Sequence, residues 1–103
     1  MIRHTVVFTL KHPKGSVAEA EFLKKAAKLE RINVVQKFEI LHQISQKNPF
    51  DFGLSMEFAS MTEFRYYNEH PDHLDFVEYV WKKEVSEFME IDYQPHQFIE
   101  SCE

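Results

Sequence analysis

The segment Tyr67-Asn68-Glu69-His70-Pro71-Asp72-His73 places a phenol and two imidazoles around a proline that opens a helix. An imidazole takes and returns a proton near neutral pH, and a phenolic hydroxyl donates to an oxygen, so this set suits general acid–base work. Phe76, Val77, Val80, Trp81, Val85 and Phe88 follow at helical spacing, and counting back puts His73 on their apolar face. Far upstream, His4 lies between Ile2 and Val6 on the apolar side of a strand pattern, and His42 lies among Ile40 and Ile44 in a second one. Histidines from distant parts of the chain are thus expected to converge on one sheet–helix layer. The plainer alternative is that each is a core histidine bonded to one polar partner. Either way something must satisfy them, because an unpaired buried donor costs about 1–3 kcal/mol. Tyr67 could equally be an aromatic staple with a solvated hydroxyl, and His70 could end a short helix, where its charge offsets the dipole. A metal held by His70 and His73 with Asp72 or Asp75 would need three or four converging ligands. Pro71 interrupts that turn and no second ligand pair follows, so no metal is expected.

The elements that must position these groups follow from periodicity. Ile2, His4, Val6, Phe8 and Leu10 alternate with Arg3, Thr5, Val7 and Thr9 as a strand with one apolar face. His12-Pro13-Lys14-Gly15 is a turn, and Ser16-x-x-Glu19 is a capping box opening a helix to about Arg31. Phe22, Leu23, Ala26 and Ala27 point inward from it, and Lys24, Lys25 and Lys28 outward. A second strand is expected over Val34–Ser45 and a third over Phe50–Phe58, joined as a hairpin. Ser60-x-x-Glu63 opens a short helix through Tyr67; Pro71 restarts a long one ending near Glu90; Ile91–Ile99 is expected as a last strand. The order β-α-β-β-α-α-β is a ferredoxin-like α+β layout, a four-stranded antiparallel sheet with helices on one face. The strands' opposite faces are mixed (Thr5, Val7, Leu41, Gly53, Ser55), suited to water or to a second sheet.

At 103 residues the chain is expected to form a single domain over 1–103. Two glycines far apart, Gly15 and Gly53, exclude a phosphate-cradling loop. A net charge of −5 without a basic cluster argues against nucleic acid as a partner. No apolar run approaches the roughly 20 residues of a membrane span. The N-terminus enters a strand at once, so no signal peptide is expected and a cytoplasmic location is. The single cysteine, Cys102, excludes an internal disulfide and is a weak nucleophile candidate near a terminus.

On Ile2-Arg3-His4-Thr5-Val6-Val7-Phe8, Ser45-Gln46-Lys47-Asn48, Tyr67-x-x-His70-Pro71-x-His73-x-x-Phe76 and Phe88-x-x-x-Asp92-Tyr93, the whole chain resembles the stress-responsive A/B-barrel domain (Dabb) family. The resemblance implies a homodimer, a dimeric α+β barrel in which two four-stranded sheets face each other. It also implies a helix-side pocket and no cofactor. A plant polyketide cyclase of that family closes an aromatic ring in this pocket. By position its strand histidine matches His4, its second His-Pro-x-His histidine matches His73, and its tyrosine matches Tyr67. His73 would then be the general base, with Tyr67 or His4 holding its tautomer or binding a carbonyl oxygen. His42, Phe8, Phe22, Ala26, Val77 and Trp81 are the expected ligand-binding wall. Ala26 stands where the plant enzyme has a further tyrosine, so the pocket's shape differs and the substrate need not be shared. The alternatives are a non-enzymatic stress or stability dimer with the histidines bonded inside a closed core, and a cofactor-free monooxygenase-like enzyme. A cavity of about 300 Å³ or more, reached by His73, separates a ligand site from a closed core.

Overall fold

A computed structural model describes residues 1–99 of the chain; Cys102 lies outside the described residues. Strand β1 (Ile2–Leu10) buries every second side chain, from Ile2 through His4, Val6 and Phe8 to Leu10. Gly15, at φ +76°, closes the following turn in the left-handed region that glycine enters without strain. Helix α1 (Val17–Ala27) begins at Ser16, whose hydroxyl accepts from the Glu19 amide at 3.2 Å, while the Glu19 carboxylate accepts from the Gly15 amide at 3.2 Å. The helix tightens into a 3₁₀ turn, Lys28–Arg31. Phe22 and Ala26 are buried, and Ala27, expected inward, is exposed.

Strands β2 (Gln36–His42) and β3 (Phe52–Phe58) form the hairpin. Both are shorter than the alternation suggested. In β2 the register shifts between Gln36 and Glu39, with Lys37 at φ +50°, so a bulge ends the regular pairing. Helix α2 (Met61–Glu69) starts at Ser60, whose hydroxyl accepts from the Thr62 amide. Helix α3 (Pro71–Phe76) starts at His70, continues through a π-helical turn, Val77–Trp81, and closes with an α-turn, Lys82–Glu84. Strand β4 (Val85–Tyr93) completes the sheet in the order β2-β3-β1-β4, antiparallel throughout, with the helices on one face: the ferredoxin-like α+β arrangement.

The last third of the chain corrects the sequence expectation. The long helix ends at Glu84 rather than near Glu90, the last strand is Val85–Tyr93 rather than Ile91–Ile99, and residues 94–99 carry no regular structure. Val85 and Phe88 satisfy a helical repeat, but Phe88, Glu90 and Asp92 also alternate. A helix to Glu90 would leave one whole edge of β1 unpaired, and that edge pairs with β4 from Arg3↔Tyr93 to Leu10↔Val85. Cross-strand pairing at long range outweighs a local period that fits both states.

Candidate functional site

A cavity of about 350 Å³ opens between the sheet and the α2–α3 layer. Val6, Leu54 and Met56 form its sheet wall, and Phe76, Val77 and Trp81 its helix wall. Val77 and Trp81 are the two ends of the π-helical turn, a distortion that recurs at functional sites. Polar groups enter from His4, Tyr67, His73 and Glu90, so the surface is apolar with a few convergent polar atoms.

His73 reaches this space because Pro71 pre-forms the first turn of α3 and His70 caps it, its Nδ1 accepting from the Asp72 amide at 3.1 Å. The His73 Nδ1 lies 3.1 Å from the Asn68 carbonyl oxygen. A carbonyl can only accept, so Nδ1 carries the proton and the Nε2 lone pair is left for the cavity. Burial lowers the His73 pKa from 6.5; the Asn68 bond opposes this, and the charges of His4 and His70 add to it. The ring is therefore neutral at neutral pH. Tyr67 or His4 was expected to hold the tautomer or to bind a carbonyl oxygen; the Asn68 backbone holds the tautomer, a role that sequence pattern does not reveal.

Tyr67 is 2% exposed, with its ring 4.4 Å from that of His73 and 6.0 Å from that of His4. Its hydroxyl feels burial and the Glu90 charge, and has no hydrogen-bond partner among the described residues. Burial first, then Glu90, push its pKa well above the ordinary 10.0, so it stays a hydroxyl donor. His4, also buried, donates Nδ1–H to Asp92 Oδ1 at 2.6 Å. Burial alone would raise the Asp92 carboxyl; hydrogen bonds from Glu90 and His4 outweigh it and hold Asp92 below the ordinary carboxylate value. Asp92 is the cross-strand partner of His4, and Glu90 that of Val6, so both carboxyls lie on the helix-facing side of β4. Neither was a site candidate from the sequence: Glu90 fell at the end of the expected long helix, which hid the alternation through Phe88, and Asp92 entered only within the motif of the family resemblance.

The remaining expected wall residues separate. Val77 and Trp81 line the cavity. Phe8, Phe22 and Ala26 are fully buried behind it, with Phe8 and Phe22 centroids 5.7 Å apart, so they shape the wall without facing a ligand. His42 is a correction: it lies exposed at the end of the edge strand β2, its ring 5.2 Å from that of Phe52, because β2 is outermost and the helices do not cover its end. Among the described residues the donor set that could hold a metal ion is His4, Glu90 and Asp92, with ligand atoms within 4.8 Å of one another, rather than the His70–His73 segment weighed from the sequence.

A family model described as the stress responsive A/B barrel domain, Dabb, matches residues 2–95. Among solved structures, a Dabb family protein with a ferredoxin-like fold from Mesorhizobium loti is 52% identical, at a TM-score of 0.92 over 93% of this chain and 97% of that one. A dimeric ferredoxin-like protein of unknown function from Bacteroides fragilis is 18% identical, at a TM-score of 0.68 over 90% and 94%. A hydroxynitrile lyase from Passiflora edulis is 13% identical, at a TM-score of 0.81 over 96% of each chain. At those identities the last two share the fold alone. No curated protein matches the chain.

Proposed function

The chain belongs to the stress responsive A/B barrel domain family, and from that premise we propose that its sheet–helix cavity binds a small, mostly apolar carbonyl compound with which His73 exchanges a proton as general base. One observation carries the reading: the free Nε2 of His73 and the unpartnered Tyr67 hydroxyl belong to one apolar cavity of about 350 Å³. In the step, a proton leaves the carbon beside the carbonyl for Nε2, and its electron pair delocalises onto the carbonyl oxygen. The Tyr67 hydroxyl donates to that oxygen as charge develops, and His4, held by Asp92, faces it from the sheet. The same transfers, run in sequence, serve aldol-type ring closure or carbon–carbon cleavage. A cavity of this size favours a ligand site over a closed core of bonded histidines, since a closed core leaves no such space.

The working form in this proposal is a homodimer. Val7, Leu41, Met89, Ile91 and Tyr93 share the sheet face turned away from the helices, and Leu41, Met89, Ile91 and Tyr93 are exposed in the single chain. The same face of a second copy would cover them and close the barrel.

The test of the chemistry is proton exchange on benzylacetone in deuterated water, followed by NMR together with the His73 ring signals. His73→Ala is expected to keep the fold and lose the exchange. Exchange at the wild-type rate in the folded variant rules out His73 as the base, and a variant that unfolds makes His73 structural.

A further inference from the structure

We propose that Glu90 sets the charge of the ligand: the cavity takes a carbonyl compound bearing an ammonium or similar cationic donor at the β4 end, and excludes carboxylates. The inference rests on the carbonyl-binding reading above and adds the substrate class.

Glu90 and Asp92 converge on a single N–H. The His4 Nδ1 lies 2.6 Å from Asp92 Oδ1 and 3.5 Å from Glu90 Oε2. That nitrogen has one proton, and the nearer carboxylate takes it. Glu90 is then left with the Asp92 carboxyl as its other polar neighbour, within 4.8 Å. A hydrogen bond with Asp92 first, then burial and the Asp92 charge, push the Glu90 pKa up to about 7. The other titratable groups on the cavity are Tyr67 from α2, which stays neutral, and His73 from α3, a neutral base. Lys82, at the end of the α3 segment, is the permanently cationic side chain among the described lining residues, and its Nζ lies 2.7 Å from Glu78 Oε2. A ligand carboxylate would therefore meet two carboxyls and a lysine already paired with a third. An ammonium group does the reverse: it donates its own N–H bonds to Glu90 and offsets the negative charge of the two carboxyls.

Glu90 is more than part of an acidic surface patch, because the cavity it borders holds a polar group waiting for a partner. Tyr67 is 2% exposed and its hydroxyl lacks a hydrogen-bond partner among the described residues. A ligand's oxygen at Tyr67 and His73 and its cationic group at Glu90 would satisfy both ends of one space.

Three probes with similar skeletons separate the possibilities: benzylacetone (neutral), phenethylamine (cationic) and hydrocinnamate (anionic). Each is titrated into wild type and Glu90→Gln at about pH 8, in chelator-containing buffer, with the His73 and Tyr67 ring signals as readout. In wild type, phenethylamine is expected to bind roughly tenfold tighter than hydrocinnamate. Benzylacetone is expected to bind alike in both proteins. Glu90→Gln should remove the preference for phenethylamine, and the wild-type arms stand even without that variant. If benzylacetone binds while phenethylamine gains nothing over hydrocinnamate, the charge selection is wrong and the carbonyl-binding reading survives. If no probe moves either ring, the cavity reading fails and takes this inference with it.

Discussion

At the scale of single residues, two histidines are held alike by different means. Each uses Nδ1 on an oxygen, His73 on the Asn68 carbonyl and His4 on Asp92, which frees the other ring nitrogen. A backbone carbonyl adds no charge, and burial keeps the His73 pKa below 6.5, whereas a carboxylate partner would favour the imidazolium. The base is therefore unprotonated over the whole neutral range. We expect the proton-exchange rate to be flat around neutrality and to fall only on acidification below pH 6.5, through the depressed pKa of His73. The same shift acts on stability. His73 binds fewer protons folded than unfolded, so its contribution is complete above 6.5 and is lost as pH falls through the folded value. Glu90 has the opposite sign: its raised pKa makes its contribution complete below 4.5 and lost as pH rises through about 7. Chemical denaturation of wild type, His73→Gln and Glu90→Gln across this range reads both. If His73→Gln is no less sensitive to acid than wild type, the assignment of the shift to His73 is wrong.

At the scale of elements, the helix starts and the first strand were legible, and the bounds of β2 and β4 were not. Ser16, Ser60 and Pro71 act through the nearest few residues, and all three open helices where their spacing put them. The bulge in β2 is a different case. Lys37, at φ +50°, takes a conformation in which its Cβ crowds the backbone, and nothing in Gln36-Lys37-Phe38 announces it. Its ammonium lies 3.4 Å from the Glu57 carboxylate, which also takes Arg3 at 2.7 Å, but the lysine side chain is mostly exposed, so that pair contributes little. Lys37→Gly is expected to leave the fold unchanged and to stabilise it by up to about 1 kcal/mol, as relief of left-handed strain outweighs the added chain entropy. Thermal unfolding decides it: a clear loss of stability would mean that the ion pair, rather than the backbone, governs the position.

At the scale of the whole molecule, the sheet has two apolar sides and the helices cover one. On the far side Ile91 stands opposite Thr5 on β1, beside Val7 and Met89. The proposed dimer would bury this strip against its copy. Ile91→Arg places a charge there without touching the helix-side cavity. It is expected to give a folded monomer by light scattering, with an unchanged far-ultraviolet circular dichroism spectrum. A variant that stays dimeric would put the interface elsewhere. The variant also asks whether the cavity needs the second copy, since benzylacetone binding can be measured on the monomer.

The sequence alone determined the sheet-and-helix layout, the helix caps and the apolar layer between sheet and helices, because periodicity and capping act over a few neighbouring residues; the family came from the resemblance of its motifs. It also picked out His4, Tyr67 and His73, which line one cavity. What only the tertiary structure decided was the fate of residues 85–93, whose pattern fits helix or strand. Pairing with the open edge of β1 made them a strand, and that pairing brought Glu90 and Asp92 to His4, across 86 and 88 positions of chain. The exposure of His42 was settled the same way, by the place of β2 at the sheet's edge. Contacts at that separation depend on strand order and register, which no local pattern carries.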